Sequence, residues 1–429
     1  MPELVPDMNP LALPGAPPSA AATPPGTVPS PDVGPSGVAD AGATGGADEG
    51  ANGVASAVTN EATSGVARTA RRVPLASRRF TVEIRQQLAW HWQALILAIA
   101  ILAGMAISAA ILIAAGIAPK DLLNEFVMQT FFDKQNFEAV LFQAAPMIMI
   151  GLGASIAFRA RFWNLGLEGQ MIFGAIAATA ISLYEIGPET TRLPLMFAAA
   201  ASAGLLWALG PALLKLRLSV NEIISTLMLN YLASNFLLHL VYGAWKDTKD
   251  NFPHSPQFRA FERLPDVFAG LSSAIPLALF VALLAWWFVD ISRAGLYLRF
   301  VNANPRMADA VGVPVRKMTL TAVLVSGALA GVAGFVVAAG QEGRLTQSFY
   351  TGYGFSGILI AFLARNNPLA ASVVAILIAG LFVTGRSLQV FYQIPFSMVQ
   401  LIQAIIVICV ACSDFFIRHR LRPVVGRGA

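Results

Sequence analysis

Charge is scarce in this chain: Asp, Glu, Lys and Arg make up 12% of 429 residues, while 56% are hydrophobic. Soluble domains average about 25% charged residues, so a water-soluble fold is excluded and a polytopic membrane protein is expected. Cysteine is nearly absent. The two present, Cys409 and Cys412, lie inside the last apolar segment with no further thiol to pair with, and read as small packing residues. Four scattered histidines give no ligand spacing, so no metal site is expected. No phosphate loop of the form GxxxxGKS/T occurs, nor HExxH, nor GxSxG. The chain is therefore not expected to be an enzyme, to have catalytic residues, or to bind ATP or another cofactor itself. Glu168 and Glu222 are the plausible charges at membrane depth, which leaves little material for a proton relay or a voltage sensor. A transporter built this way needs an energy source on another chain.

What is present is mostly topology information. The basic excess of +5 sits at the edges of apolar runs, where it orients the chain in a lipid bilayer and does not argue for nucleic acid. Residues 1–79, rich in Pro, Ala, Gly and Ser, have no apolar period and are expected to form a disordered cytosolic tail without a signal peptide. The tail turns basic (Arg68, Arg71, Arg72, Arg78) just before a transmembrane domain spanning 80–418, and a basic cytosolic tail follows at 419–429. Counting from inside, Arg159 and Arg161, then Lys215 and Arg217, then Arg293 and Arg299 each mark a return to the cytoplasm, and residues 243–265 form the longest external loop. The expected fold is all-α with about ten transmembrane helices and both termini cytoplasmic. The segment 353–364 is only 12 residues long, short of the roughly 20 that a simple span needs. Such a segment is expected where irregular backbone is buried in protein or lines a cavity.

Two stretches share a layout of span, glycine-containing polar break and short span: MIMIGLGASIAFRARFWNLGLEGQMIFGAIAATA from Met147 and LVSGALAGVAGFVVAAGQEGRLTQSFYTGYGFSGILIAFLA from Leu324. By the crossing count the first breaks at the inner face and the second at the outer face, an inverted repeat of discontinuous helices of the kind used for alternating access. Gly327 and Gly331, in GALAG, have the spacing for close helix packing.

Two places carry candidate function. In NANPRMADAVGVPVRK, Asn304 is a good N-cap, Pro305 suits the first helical position and Gly312 can end the helix, which predicts a short capped helix over 305–311 on the cytoplasmic side. It is either a handle for a cytosolic partner or an ordinary loop; caps alone leave both open. In the first break, Asn164, Glu168 and Gln170 lie between apolar residues that could carry the turn back into the bilayer. They read either as a cytoplasmic turn, with a Glu favoured by the helix dipole, or as part of a solute path. Gln341, Tyr353 and Phe355 from the second break, with Asn230 between, are the expected partners. Amide, carboxyl and aromatic side chains can hydrogen-bond and stack on a small polar solute.

FWNLGLEGQMIFGAIAA, NEIISTLMLNYLA, NANPRMADAVGVPVRK and GYGFSGILIAFLARNNPL together resemble the integral-membrane permease subunits of bacterial ABC importers, in the group covering monosaccharides, branched-chain amino acids and nucleosides, and the nucleoside type most. The resemblance covers about 94–414. The tail before residue 80 departs from the family's usual short N-terminus. The resemblance implies the cytoplasmic (inner) membrane of a bacterium, a second permease subunit, identical or not, and a cytosolic ABC ATPase that binds ATP. It also implies an extracytoplasmic substrate-binding lipoprotein. It makes Asn304, Pro305, Arg306, Met307, Ala308, Val311 and Gly312 the ATPase-coupling element. It makes a nucleoside the expected small-molecule substrate, with a simple sugar or other small polar solute as the alternative; the reading of a different class is a stand-alone secondary transporter or channel, for which Glu168 is the one candidate intramembrane carboxylate.

Overall fold

The computed structural model describes residues 79–84, 88–120, 128, 130, 132–249, 251–268, 271–350 and 352–424. Apart from Arg79, the expected tail 1–79 lies outside the described residues. Among the described residues ten apolar helices make the body: α1 (Trp90–Ala114), α2 (Lys134–Arg159), α3 (Leu167–Leu183), α4 (Glu189–Leu218), α5 (Glu222–Tyr242), α6 (Ala274–Trp286), α9 (Val315–Val336), α10 (Tyr353–Leu363), α11 (Pro368–Phe391) and α12 (Phe396–Arg418). Helices α7 (Arg293–Ala303) and α8 (Pro305–Ala310) intervene after α6, and wide π-type turns prolong α6 to Ile291 and α9 to Glu342. Eight of the ten are long and apolar enough to cross a membrane; α3 and α10 are the shorter two. The helices are apolar nearly all round because lipid on one side and protein on the other make the same demand.

The core centres on α2 and α9, where Met147, Ile150, Leu152 and Phe335 are fully buried. Helix α9 packs directly on the backbones of α3 and α4. A methyl group on Gly331 would lie 2.2 Å from the Ala200 carbonyl oxygen, and one on Gly204 would lie 2.3 Å from that of Gly327. The small residues of GALAG are thus a packing device, as their spacing predicts.

Ion pairs and hydrogen bonds sort the helix ends into two sets. At one end, Arg161 donates to the Asn302 and Ala303 carbonyls at 2.9 and 3.2 Å and Lys215 to that of Arg161 at 2.9 Å. Arg159 donates to Asn366 O at 2.7 Å, and Arg365 reaches Gln93 at 2.9 Å and Asp414 at 3.7 Å. The start of α1 and the end of α12 therefore share the basic end. There β1 (Arg79–Ile84) also pairs antiparallel with β2 (His419–Val424), Val82 opposite Leu421. The expected C-terminal tail thus begins as a strand.

The opposite end is built by residues 243–265, which fold against the chain. The backbone N–H groups of Ser255, Phe258 and Leu264 donate to Leu345 O, Gly343 O and Ala339 O at 2.9, 2.8 and 3.1 Å. The buried Glu262 anchors this loop, accepting from Arg192 Nη1 at 2.8 Å, Ser182 Oγ at 2.7 Å and the Arg259 N–H at 2.9 Å.

Candidate functional site

The two broken helices meet inside the bundle. After α2 ends at the basic end, residues 160–166 turn back inward, with Phe162 and Asn164 fully buried, and α3 then runs out toward Tyr184 and the opposite end. After α9, residues 343–350 and 352 turn inward from the opposite end, and α10 runs out toward Asn366 at the basic end. The N-termini of α3 and α10 therefore face each other. A helix N-terminus presents unsatisfied N–H groups and a positive dipole end, so two meeting head to head need an acceptor between them. Glu168, in the first turn of α3, is placed to be that acceptor: its side chain packs against Gly354, with the backbone N–H groups of Gly352, Gly354 and Phe355 facing its carboxyl. The fit is tight, since a methyl group on Gly354 would sit 2.2 Å from Glu168 Cγ. Only glycine leaves room for the clamp.

The amides predicted for this site are engaged in holding it. Asn164 Nδ2 donates to Gln170 Oε1 at 3.0 Å and to Ser326 Oγ at 2.9 Å, and Gln170 Nε2 returns a bond to Asn164 Oδ1 at 3.0 Å. Asn230 accepts from Gly169 N at 2.8 Å and donates to Leu165 O at 2.7 Å. In the second half, Tyr353 Oη donates to Gln341 Oε1 at 2.8 Å and accepts from Gln143 Nε2 at 2.9 Å, while Gln341 Nε2 donates to Phe142 O at 3.1 Å. Asn164, Glu168, Gln170, Asn230, Gln341 and Tyr353 are thus gathered around one joint as its internal bracing. Phe355 differs: its side chain is 63% exposed.

Beside Phe355 the joint carries an outward strip that sequence reading did not single out. Helix α5 is tied to the joint through Asn230. The outward face of the same helix shows Tyr231, 66% exposed, and the exposed Asn235, whose Nδ2 donates to Tyr231 O at 2.8 Å. Polar groups turned outward at mid-span are costly in lipid, and their period along α5 was the available signal. Gln143 and Ser326, which complete the bracing, were also missed; each is a lone polar residue in an apolar helix.

The short capped helix forms one residue shorter than expected, Pro305–Ala310, with Asn304 Oδ1 accepting from the Arg306 and Met307 N–H groups at 3.1 and 3.3 Å. Gly312 follows at φ +85°, a left-handed conformation that glycine adopts freely. One expected contact residue is corrected: Ala308 is buried against Val301 and Val313, so it fixes the helix to the chain and cannot face a partner. Met307 and Val311, both 68% exposed, and Arg306 form the outward ridge.

The model of a family described as branched-chain amino acid transport system, permease component, matches residues 136–411. A guanosine ABC transporter permease protein of Bacillus subtilis is 32% identical over 77% of this chain and 96% of its own length. A glucose ABC transporter permease protein of Haloferax volcanii is 32% identical over 75% and 88%. A nucleoside ABC transporter permease protein of Lactococcus lactis is 30% identical over 61% and 86%. No solved structure matches.

Proposed function

We propose, from the fact that the chain belongs to the permease-component family of branched-chain amino acid transport systems, that this ABC transporter permease forms one wall of a nucleoside path in an ATP-driven importer. The observation that carries the reading is the head-to-head joint at Glu168 together with the exposed Tyr231 and Asn235 of α5 and the exposed ring of Phe355 at the start of α10. A second permease subunit would cover these side chains, and the solute would pass between the two faces. The braced joint keeps irregular backbone inside protein at membrane depth, and the exposed hydroxyl, amide and ring offer what a nucleoside can bond and stack on.

The same reading places the basic end in the cytoplasm, since basic residues gather on that side of membrane proteins. The membrane is then the bacterial inner membrane, with both ends of the transmembrane domain inside. The ridge of Arg306, Met307 and Val311 on α8 docks on a cytosolic ABC ATPase, which binds ATP in place of this chain, and a binding lipoprotein delivers solute to the opposite end. Support comes from the guanosine and nucleoside permeases among its relatives. A simple sugar is the second reading, favoured by the glucose permease at the same 32% identity.

Uptake of labelled guanosine and glucose into cells carrying the whole importer tests the substrate. Guanosine uptake that drops at least tenfold in Tyr231→Ala/Asn235→Ala supports the reading; glucose uptake alone contradicts it. Topology is tested by labelling single cysteines from outside: Asn251→Cys should react with an impermeant reagent and Met307→Cys should not.

A further inference from the structure

A second polar cavity lies wholly within this chain, on the other side of α10's first residue from Glu168. It encloses about 430 Å³ and opens at the end opposite the basic one, between α2, the end of α9, α11 and α12. That volume falls within the roughly 300–1,000 Å³ of small-molecule sites. Its floor is the chain of Gln143, Tyr353 and Gln341. Its rim carries Glu342, Arg386, Gln389 and Gln400. None of these four makes a side-chain hydrogen bond or ion pair among the described residues. A neighbouring cavity of about 420 Å³ shares Gln143, Gln341, Glu342 and Arg386, so the polar lining continues past the first.

Cavities between membrane helices that hold lipid chains are lined with hydrocarbon, and this chain has one: the small space edged by Leu97, Ile101, Leu381 and Ile406. The polar cavity is its chemical opposite. One cation and one anion on the rim cancel, which disfavours a phosphate-bearing or otherwise charged solute, because an unpaired charge carried in from water must be compensated. Amides that both donate and accept suit a neutral solute with several hydroxyl or amide groups. Phe349 and Phe382 add flat apolar walls, against which a base or the face of a sugar ring can lie.

We infer that this cavity is a second solute site, a vestibule inside the single subunit that holds a neutral polyhydroxylated solute of the transported class before it reaches the joint. The inference rests on the transport reading above and goes beyond it, because the path proposed there runs outside α5 and α10. The site is linked to the joint through Tyr353. Its ring lines the vestibule, while the N–H groups on either side of it, from Gly352 and Gly354, face the Glu168 carboxyl. A solute that displaces the Tyr353 hydroxyl from Gln143 and Gln341 would act on the first turn of α10.

The test is equilibrium binding of labelled guanosine and labelled glucose to the full-length protein in phosphatidylcholine nanodiscs. Saturable binding of one or both is expected, weakened tenfold or more in Gln389→Ala/Gln400→Ala and in Arg386→Gln. The rim side chains are exposed, so the thermal midpoints of these variants should match the wild type; Arg386→Gln stands alone if the double variant does not fold. Absence of saturable binding, or binding that ignores both rim variants, overturns the inference. So does binding that a change of nanodisc headgroup abolishes, which would assign the cavity to lipid. Rim-sensitive binding of glucose with no guanosine transport would instead overturn the nucleoside reading and keep the vestibule.

Discussion

The two broken helices follow the same plan and are held by different means. The first break, residues 160–166, is braced from within: Asn164, Gln170, Ser326 and Asn230 saturate one another and the local backbone. The second, residues 343–350 and 352, has its Tyr353–Gln341–Gln143 bonds and leans besides on a separate loop that lays its backbone along 339–345 and is itself anchored by Glu262 on Arg192. A break stitched by its own buried amides can move only as a unit. One held by a separate loop can be released by acting on that loop, which is where a partner at this end would press.

The largest effect expected from breaking this comparison is at the loop anchor. Arg192→Ala leaves Glu262, 1% exposed, without its counter-charge, and should cost about 3 kcal/mol, the low end for a broken buried pair. Thermal unfolding in nanodiscs, with proteolysis confined to the 243–265 loop at lower temperature, reads it. The same anchor sets an acid response. Burial pushes the Glu262 carboxyl up, but the hydrogen bonds from Arg192, Ser182 and the Arg259 N–H outweigh burial and hold it below the ordinary 4.5. A carboxyl lowered in the folded state contributes stability that is present above its unfolded value and is lost as pH falls through the folded value. The melting temperature should hold from pH 7 to about 5 and fall below about 4.5, and Glu262→Gln should lack this portion of the acid loss.

The same small substitution in the two breaks comes next. A methyl on Gly354 meets Glu168 Cγ at 2.2 Å, whereas one on Gly166 meets Thr226 Cβ at 3.1 Å. Gly354→Ala should cost roughly 1–3 kcal/mol as overpacking and reduce uptake sharply; Gly166→Ala should cost less on the same melting assay. Equal losses would remove the special status of the clamp.

The smallest stability effect belongs to α8. Asn304→Ala removes an N-cap worth about 1 kcal/mol, and should slow uptake through the ridge it orients. Met307→Asp/Val311→Asp should reduce ATPase stimulation while leaving the melting temperature within about a degree, since both side chains are exposed. Stimulation at the wild-type level in that variant would free α8 from any coupling role.

Much of the frame was legible in the sequence, for identifiable reasons. Apolar runs and basic flanks report a bilayer directly, so ten helices and the shared basic end could be read without tertiary information. The caps of α8 are local chemistry between neighbours, and they formed as Asn304, Pro305 and Gly312 require. What could not be read depends on distant contacts. Ala308 has the same spacing as Met307 and Val311, and only the approach of Val301 and Val313 turns it inward. That three N–H groups from 352–355 would face Glu168 follows from the meeting of helices about 185 residues apart, as the numbering in the clamp itself shows. The pairing of 79–84 with 419–424 was hidden because two six-residue strands about 335 residues apart in sequence carry almost no pattern of their own.

The central claim is that the Glu168 joint belongs to the transport machinery. The most direct measurement is labelled-guanosine uptake by cells carrying the importer with Glu168→Ala or Asn164→Ala, at matched amounts of inserted protein. Leaving buried partners unpaired costs about 1–3 kcal/mol, so uptake should fall several-fold or more in both while the protein still reaches the membrane. Wild-type rate and KM in both variants would contradict the account.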